Sequence, residues 1–281
     1  MKNLTPFKGS YLKNLEDIIN DKYEPGKTRL NTLKPKISKR YFQYQRSYLL
    51  DTLETISGGS YTTQEKSDLE KCYSSSTASF GEIVKQIRES QHRDLQGTCQ
   101  YCGIQKPNTI DHYLPQSDFP EFSVLALNLI PCCNDCNTKK NNYWLDNGFR
   151  GIINFYIDTL PQIQFLFCDV TIDSTNKIPN VNYRLSIPRA VNKRLRVIIS
   201  NHFIRLDLCN KYGEYIHDFI TDKINSIVCY LNSDNPNDIK EGIEKEATNL
   251  KGRYGINNWR TVLTDELSKS SDFIELIRMK M

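Results

Sequence analysis

CQYCGIQKPNTIDHYLP (residues 99–115) and NLIPCCNDCNTKKNN (residues 128–142) decide how this chain is read. Cys99 and Cys102 form one C-x-x-C pair, and Cys133 and Cys136 form a second. Such a turn brings two thiolates onto one side of a tight loop, and two turns supply the four soft ligands of a tetrahedral Zn²⁺ site. Cys132 raises a question of register. Three residues beyond it stands Asp135, so Cys133 is the partner of Cys136. A site closed by four cysteines has no open position, which makes the zinc structural, and its binding energy stabilises a segment too poor in apolar residues to build a core alone. The pairs by themselves fit a zinc-ribbon binding module equally well.

The residues between and behind the pairs carry the chemistry. Asp111 and His112 end a short apolar run, Asn128 opens another, Asn137 follows Cys136 directly, and Asn141 lies one helical turn further on. A neutral imidazole, with an ordinary pKa near ~6.5, takes a proton from water at physiological pH. Asp111 and the amide oxygen of Asn137 are the oxygen donors that Mg²⁺ or Mn²⁺ prefers. Asn128 has both a donor and an acceptor with which to hold loop backbone. Each residue alone has an ordinary explanation, such as a surface Asp-His pair, a turn asparagine or a helix cap at Asn137. As an ordered set inside four cysteines, Cys99 to Asn142 resembles the His-Me finger (HNH) endonucleases, in the subclass with a structural zinc.

That resemblance implies a ββα-metal finger in which His112 is the general base. It implies that Asp111 and Asn137 hold a catalytic Mg²⁺ or Mn²⁺, with Asn141 a further candidate ligand, and that Asn128 fixes the loop bearing the base. The implied reaction is hydrolysis of DNA phosphodiester bonds, with RNA the alternative substrate, leaving a 5′-phosphate and a 3′-hydroxyl. Many relatives carry a glycine-rich stretch between the histidine and the middle asparagine. This chain has Ser117 to Phe122 (SDFPEF) instead, which leaves the shape of that loop open. HNH enzymes with helical flanks of this size often serve as effectors of bacterial antiviral defence, sometimes paired with an ATPase as in Septu-like systems, and the resemblance implies such a role here. The chain has no G-x-x-x-x-G-K-[ST] loop, so an ATPase partner would be a separate protein. The competing reading is a catalytically inactive, zinc-stapled subunit that binds nucleic acid or protein.

Outward from the finger, residues 1–95 read as helical. Leu12, Leu15, Ile18 and Ile19 share a helix face, the pattern returns from Tyr41 to Ile56, and Phe80 to Ile87 resumes it. Residues 96–145 are the finger. Residues 146–281 begin with a hairpin, in which Phe165 to Ile172 and Val181 to Ile187 are the strands and Asp173 to Asn180 the turn. Helices follow from Pro188 onward, over Tyr215–Leu231, Ile239–Leu250 and Trp259–Met279. The expected class is therefore α+β: a mostly helical chain with a small zinc-stapled finger and an additional β-hairpin.

The 281 residues carry 37 basic and 33 acidic side chains, a formal charge of only +4, so bulk charge says little about partners. Its distribution says more, because Cys99 to Asn142 has three lysines against four acidic residues and must borrow its grip. Lys22 to Arg46 holds eight basic residues and one acidic one, interleaved with Tyr23, Tyr41, Phe42 and Tyr44, a pattern suited to phosphates and unpaired bases. Lys34, Lys36, Lys39, Arg40 and Arg46, with Lys139 and Lys140 in the finger, are the candidate nucleic-acid contacts; the bland alternative is a solvated helix face. Arg184 to Arg196, with five basic residues, reads rather as such a face. Cys72, Cys168, Cys209 and Cys229 read as buried small hydrophobes, His92, His202 and His217 as ordinary helix residues, and Trp144 and Trp259 as core anchors. No signal segment or run of 18 apolar residues is present, so the expectation is a cytoplasmic protein, with homo-oligomers open.

Overall fold

The computed structural model describes residues 1–173, 179–231 and 233–281. The chain is α+β, mostly helical with three separate two-stranded antiparallel pairs among the described residues. In chain order the elements are α1 (Tyr11–Asn20), α2 (Gly26–Leu49), α3 (Thr63–Ser74), α4 (Ala78–Glu89), α5 (Arg93–Gln96), β1 (Thr109–His112), β2 (Leu129–Cys132), α6 (Asn134–Lys140), β3 (Leu145–Asp146), β4 (Phe149–Arg150), β5 (Leu166–Ile172) and β6 (Pro179–Leu185). Then come α7 (Lys193–Arg205), α8 (Leu208–Gly213), α9 (Ile216–Tyr230), α10 (Pro236–Tyr254), α11 (Trp259–Leu267) and α12 (Ser271–Arg278). No helix among the described residues is long and apolar enough to cross a membrane.

Local chemistry sets the helix ends. Ser10 accepts from the Lys13 amide and starts α1, which buries Leu15, Ile18 and Ile19. Thr62 and Glu65 close a reciprocal capping box at the head of α3. The helix expected from Tyr41 to Ile56 begins fifteen residues earlier, at Gly26, and stops at Leu49. Leu30, Leu33, Ile37, Tyr41 and Tyr44 form its buried stripe, diluted in the sequence by the basic run around them. It stops because Asp51 turns left-handed, at φ 53°. The helix expected from Pro188 starts only at Lys193, where Asn192 caps it, and the expected C-terminal helix divides where Ser270 caps α12.

The β5–β6 hairpin pairs Leu166 with Leu185 and Ile172 with Pro179. Its alternation is the period of two read from the sequence, with Leu166 and Cys168 buried and Asp169 and Thr171 exposed. The turn expected between Asp173 and Asn180 falls, over 174–178, outside the described residues. One hydrophobic cluster runs from Met1 through all four paired cysteines to Ile277. The finger is thus embedded: α11 supplies the Trp259 indole N–H that donates to the Gly103 carbonyl at 2.9 Å. Gly103 needs its φ of +70°, and a Cβ there would meet the Asn258 amide at 2.9 Å.

Candidate active site

The two C-x-x-C turns converge. The sulfurs of Cys99, Cys102, Cys133 and Cys136 all lie within 4.8 Å of one another, and those of Cys102 and Cys133 are 3.9 Å apart. A tetrahedral Zn²⁺ with bonds of about 2.3 Å requires sulfur–sulfur edges of about 3.8 Å, so this donor set fits zinc. All four are buried and none forms a disulfide. Cys132 stands outside the cluster, beside the Thr109 hydroxyl at 3.4 Å. Cys72 and Cys168 are buried as expected, but Cys209 is only half-buried, packed against the edge of the core, and Cys229 is exposed.

Strand β1 pairs antiparallel with β2, setting Asp111 opposite Ile130 and His112 opposite Leu129, and α6 packs against β1. The sixteen-residue connection between the strands is held by Asn128, which is fully buried. Its Oδ1 accepts from the Leu114 amide (2.8 Å) and the Tyr44 hydroxyl (3.3 Å). Its Nδ2 donates to the carbonyls of Leu114 (3.0 Å) and Phe122 (3.3 Å). Asn128 therefore ties the two ends of the loop together and reaches no solvent-open surface.

His112, Asp111, Asn137 and Asn141 line one open cleft of about 670 Å³, together with Glu70 and Tyr73 from α3. His112 Nε2 lies 2.8 Å from the Ser123 carbonyl oxygen. A carbonyl can only accept, so Nε2 carries the hydrogen and Nδ1 of the neutral ring keeps its lone pair. Burial lowers the pKa of His112 below that of ordinary imidazole, and the Ser123 hydrogen bond and Asp111 offset part of that effect. The Tyr73 ring stands edge-on to the imidazole at 4.4 Å, and its hydroxyl donates to the Ile110 carbonyl at 3.3 Å.

Asp111 is held from two sides. The Tyr101 hydroxyl donates to Oδ2 at 2.8 Å, and the Lys140 ammonium pairs with Oδ1 at 3.0 Å. Burial pushes the Tyr101 phenol well above its usual pKa, so it remains a donor. Asn137 turns its Nδ2 to Thr109 Oγ1 and the Ile110 carbonyl, both at 3.4 Å, and its Oδ1 has no protein donor among the described residues. The oxygen donors open to a hard cation are thus Asn137 Oδ1 and the remaining lone pairs of Asp111, a set that fits a divalent ion completed by water and substrate. Asn141, exposed and left-handed at φ 48°, borders the same cleft.

Lys140 corrects its reading as a nucleic-acid contact. It is fully buried, and its ammonium is committed to Asp111 and, at 2.8 Å, to the His112 carbonyl. Arg40 is likewise turned inward, pairing with fully buried Glu121 at 2.7 Å and reaching the Ser57 carbonyl. Lys34 pairs with Glu16 at 2.7 Å, and Lys36 reaches the Ser60 carbonyl over the Tyr61 ring. Lys39 and Arg46 are exposed on α2 beside Phe42, while Tyr41 and Tyr44 are core residues; Lys139 is half-buried. In the second basic run Arg194 pairs with Asp51 and Glu54, and Arg184 with Asp169. Trp144, Trp259 and His202 are buried, and His92 and His217 are exposed. Glu70 and Tyr73 did not emerge from the sequence, although Thr62-x-x-Glu65 is a readable signal for the helix that carries them.

Residues 99–143 match the HNH endonuclease family. The chain is similar to Protein ea31 of Escherichia phage lambda, at 26% identity over 245 residues, 83% of this chain and 80% of that protein. No solved structure matches it. The chain therefore contains an HNH endonuclease domain whose four cysteines are positioned to bind a metal ion.

Proposed function

We propose that this protein is a metal-dependent endonuclease that hydrolyses DNA phosphodiester bonds, with His112 as general base. The observation that carries this reading is the Nε2–H bond from His112 to the Ser123 carbonyl, which leaves Nδ1 as the ring's proton acceptor in a cleft lined by Asp111 and Asn137. In the proposed step a water oxygen bonds to phosphorus as its proton passes to His112 Nδ1. The bond from phosphorus to the 3′ oxygen breaks, and that oxygen leaves with a proton from solvent. A bound Mg²⁺ or Mn²⁺ would neutralise charge on the phosphate and the departing oxygen. Asp111 and Asn137 would hold that ion, Asn141, which borders the same cleft, would be a further ligand, and Asn128 would keep the loop carrying Ser123 against His112.

One observation favours the second reading, a binding subunit without chemistry: both Asp111 oxygens already have protein partners. The proposed setting is bacterial defence, with an ATPase as separate partner and the HNH resemblance as its support; similarity to a phage protein supports a phage-borne role instead. Supercoiled plasmid incubated with Mg²⁺ or Mn²⁺ decides the chemistry. The wild type is expected to nick it and His112→Ala to lose roughly 10²–10⁴-fold in rate. Equal cutting by both proteins, or none by the wild type with either metal, overturns the nuclease reading. Co-purification from the native host distinguishes an ATPase-linked role from a freestanding one.

A further inference from the structure

We infer that Glu70, from outside the matched HNH segment, supplies the negative charge that draws the divalent cation into the cleft and is a ligand or water-bridged anchor for it. This inference rests on the nuclease reading above. It begins with a charge count. Asp111 is the acidic residue that the finger contributes to the cleft, and its formal charge is cancelled by the buried Lys140 ammonium at 3.0 Å. No lysine or arginine lines the cleft, and Glu70 is its other acidic residue. The uncompensated charge of the cleft is therefore that of Glu70.

The neighbouring carboxylates behave differently. Asp68, on the same helix, pairs with Arg29 at 2.5 Å, and Glu121 pairs with Arg40 at 2.7 Å. The Glu70 side chain has neither an ion pair nor a hydrogen bond among the described residues. Its helix is nonetheless firmly held at this point. The Gln116 amide donates to the Glu70 carbonyl at 3.2 Å, and Tyr73, one turn on, spans Ile110 and His112. A half-buried, unpaired carboxylate on a pinned helix would repel a phosphodiester, unless a cation lies between them. Mg²⁺ and Mn²⁺ sites are commonly built from one or two carboxylates with water and substrate phosphate, and Asn137 Oδ1 offers the neutral donor beside them.

The test uses the full-length, zinc-loaded protein without nucleic acid, and reads Mn²⁺ binding by electron paramagnetic resonance. Wild type, Glu70→Gln and Glu70→Asp are compared, with zinc content and circular dichroism as folding controls. Glu70→Gln is expected to weaken Mn²⁺ binding roughly 10- to 100-fold, and Glu70→Asp, which keeps the charge, to recover part of it. Plasmid nicking by Glu70→Gln should then recover as Mn²⁺ is raised. Unchanged Mn²⁺ affinity in a folded Glu70→Gln protein overturns the inference, as does a wild type that binds no Mn²⁺. Should Mn²⁺ binding depend on Glu70 while the wild type cuts nothing, the nuclease reading fails and the cation site stands.

Discussion

His202 is fully buried between Tyr101 and Phe155, and at the scale of single residues it links the first cysteine turn to the cleft. Its Nε2–H donates to the Tyr101 carbonyl at 2.8 Å, while the Tyr101 hydroxyl donates to Asp111. One tyrosine inside the first C-x-x-C pair is thus gripped by its backbone and grips the candidate ligand with its side chain. Burial lowers the His202 pKa from 6.5 to about 4, with the Tyr101 carbonyl pulling weakly the other way. The folded protein keeps this imidazole neutral, whereas the unfolded chain protonates it near 6.5, so the unfolded state binds the extra proton between those values. Stability from this group is complete above pH 6.5 and is lost as pH falls towards 4, a loss of about 3 kcal/mol. Urea unfolding at pH 7 and pH 4.5 should therefore show a larger acid loss in wild type than in His202→Gln. Release of a metal ion held by the four cysteines would occur in both proteins, so it is followed separately as metal content; equal losses would exclude His202 as the source. Lys140 shows where residue-level reading fails. Beside Lys139 and Asn141 it looks like a solvated basic residue, yet it ends the helical face that packs on β1, so its ammonium must find Asp111 or stay buried unpaired. Asp111, His112, Asn128 and Asn137 stood out as candidates because of their order and spacing within one short segment, and Asp111, His112 and Asn137 line one cleft.

At the scale of elements, the finger is two four-residue strands and a seven-residue helix, too little to hold its own geometry. Two supports compensate: the four cysteines, and the outer helices that dock on the first turn through Trp259 and His202. Zinc in such sites is worth on the order of 10 kcal/mol, comparable with the whole stability of a domain, about 5–15 kcal/mol. Chelation, or Cys133→Ser, is therefore expected to release one zinc per chain and open the finger first. Hydrogen exchange at the amides of Tyr101, Asp111 and Asn137 should speed up before that of α2 or α10. An apo protein with unchanged protection there would mean that docking alone maintains the site. The cysteine frame was legible from its local spacing and the β5–β6 hairpin from its period of two, whereas β1 and β2 were expected only through the family resemblance. The extent of α2 was not legible, since its apolar stripe is thinned by basic residues and interrupted by Pro35. Nor was the cleft's second wall. Thr62 and Glu65 announce a helix, but nothing in the sequence of α3 says that Glu70 and Tyr73 line the cleft with His112, or that Tyr73 meets its ring across 39 residues of chain, because that placement is tertiary.

At the scale of the whole molecule, the finger is held between its flanks by charge as well as by apolar packing. Arg150, just beyond the finger and fully buried, donates to both Asp158 oxygens, at 3.0 and 2.5 Å. It also pairs with Asp51 at 2.7 Å and stands 3.6 Å from Glu54, both in the N-terminal region. Arg194 at the start of α7 binds the same two acids from the C-terminal side. Three stretches distant in sequence are therefore joined through one network of two guanidiniums and three carboxylates. Burial raises the Asp158 pKa, and Arg150 opposes that rise, so Asp158 depends on its partner to remain charged. Removing Arg150 leaves that carboxylate buried and uncompensated. Arg150→Met is expected to lower unfolding free energy by about 3–5 kcal/mol. Replacing Asp158 as well, in Arg150→Met/Asp158→Asn, should restore part of the loss, because the unpaired charge is gone. Denaturant unfolding of the two variants measures this directly. A double variant no more stable than the single one would show that the network acts through Asp51 and Glu54 alone. A single unfolding transition, with finger and flanks lost together in the wild type, is the result expected of one continuous core tied by this network.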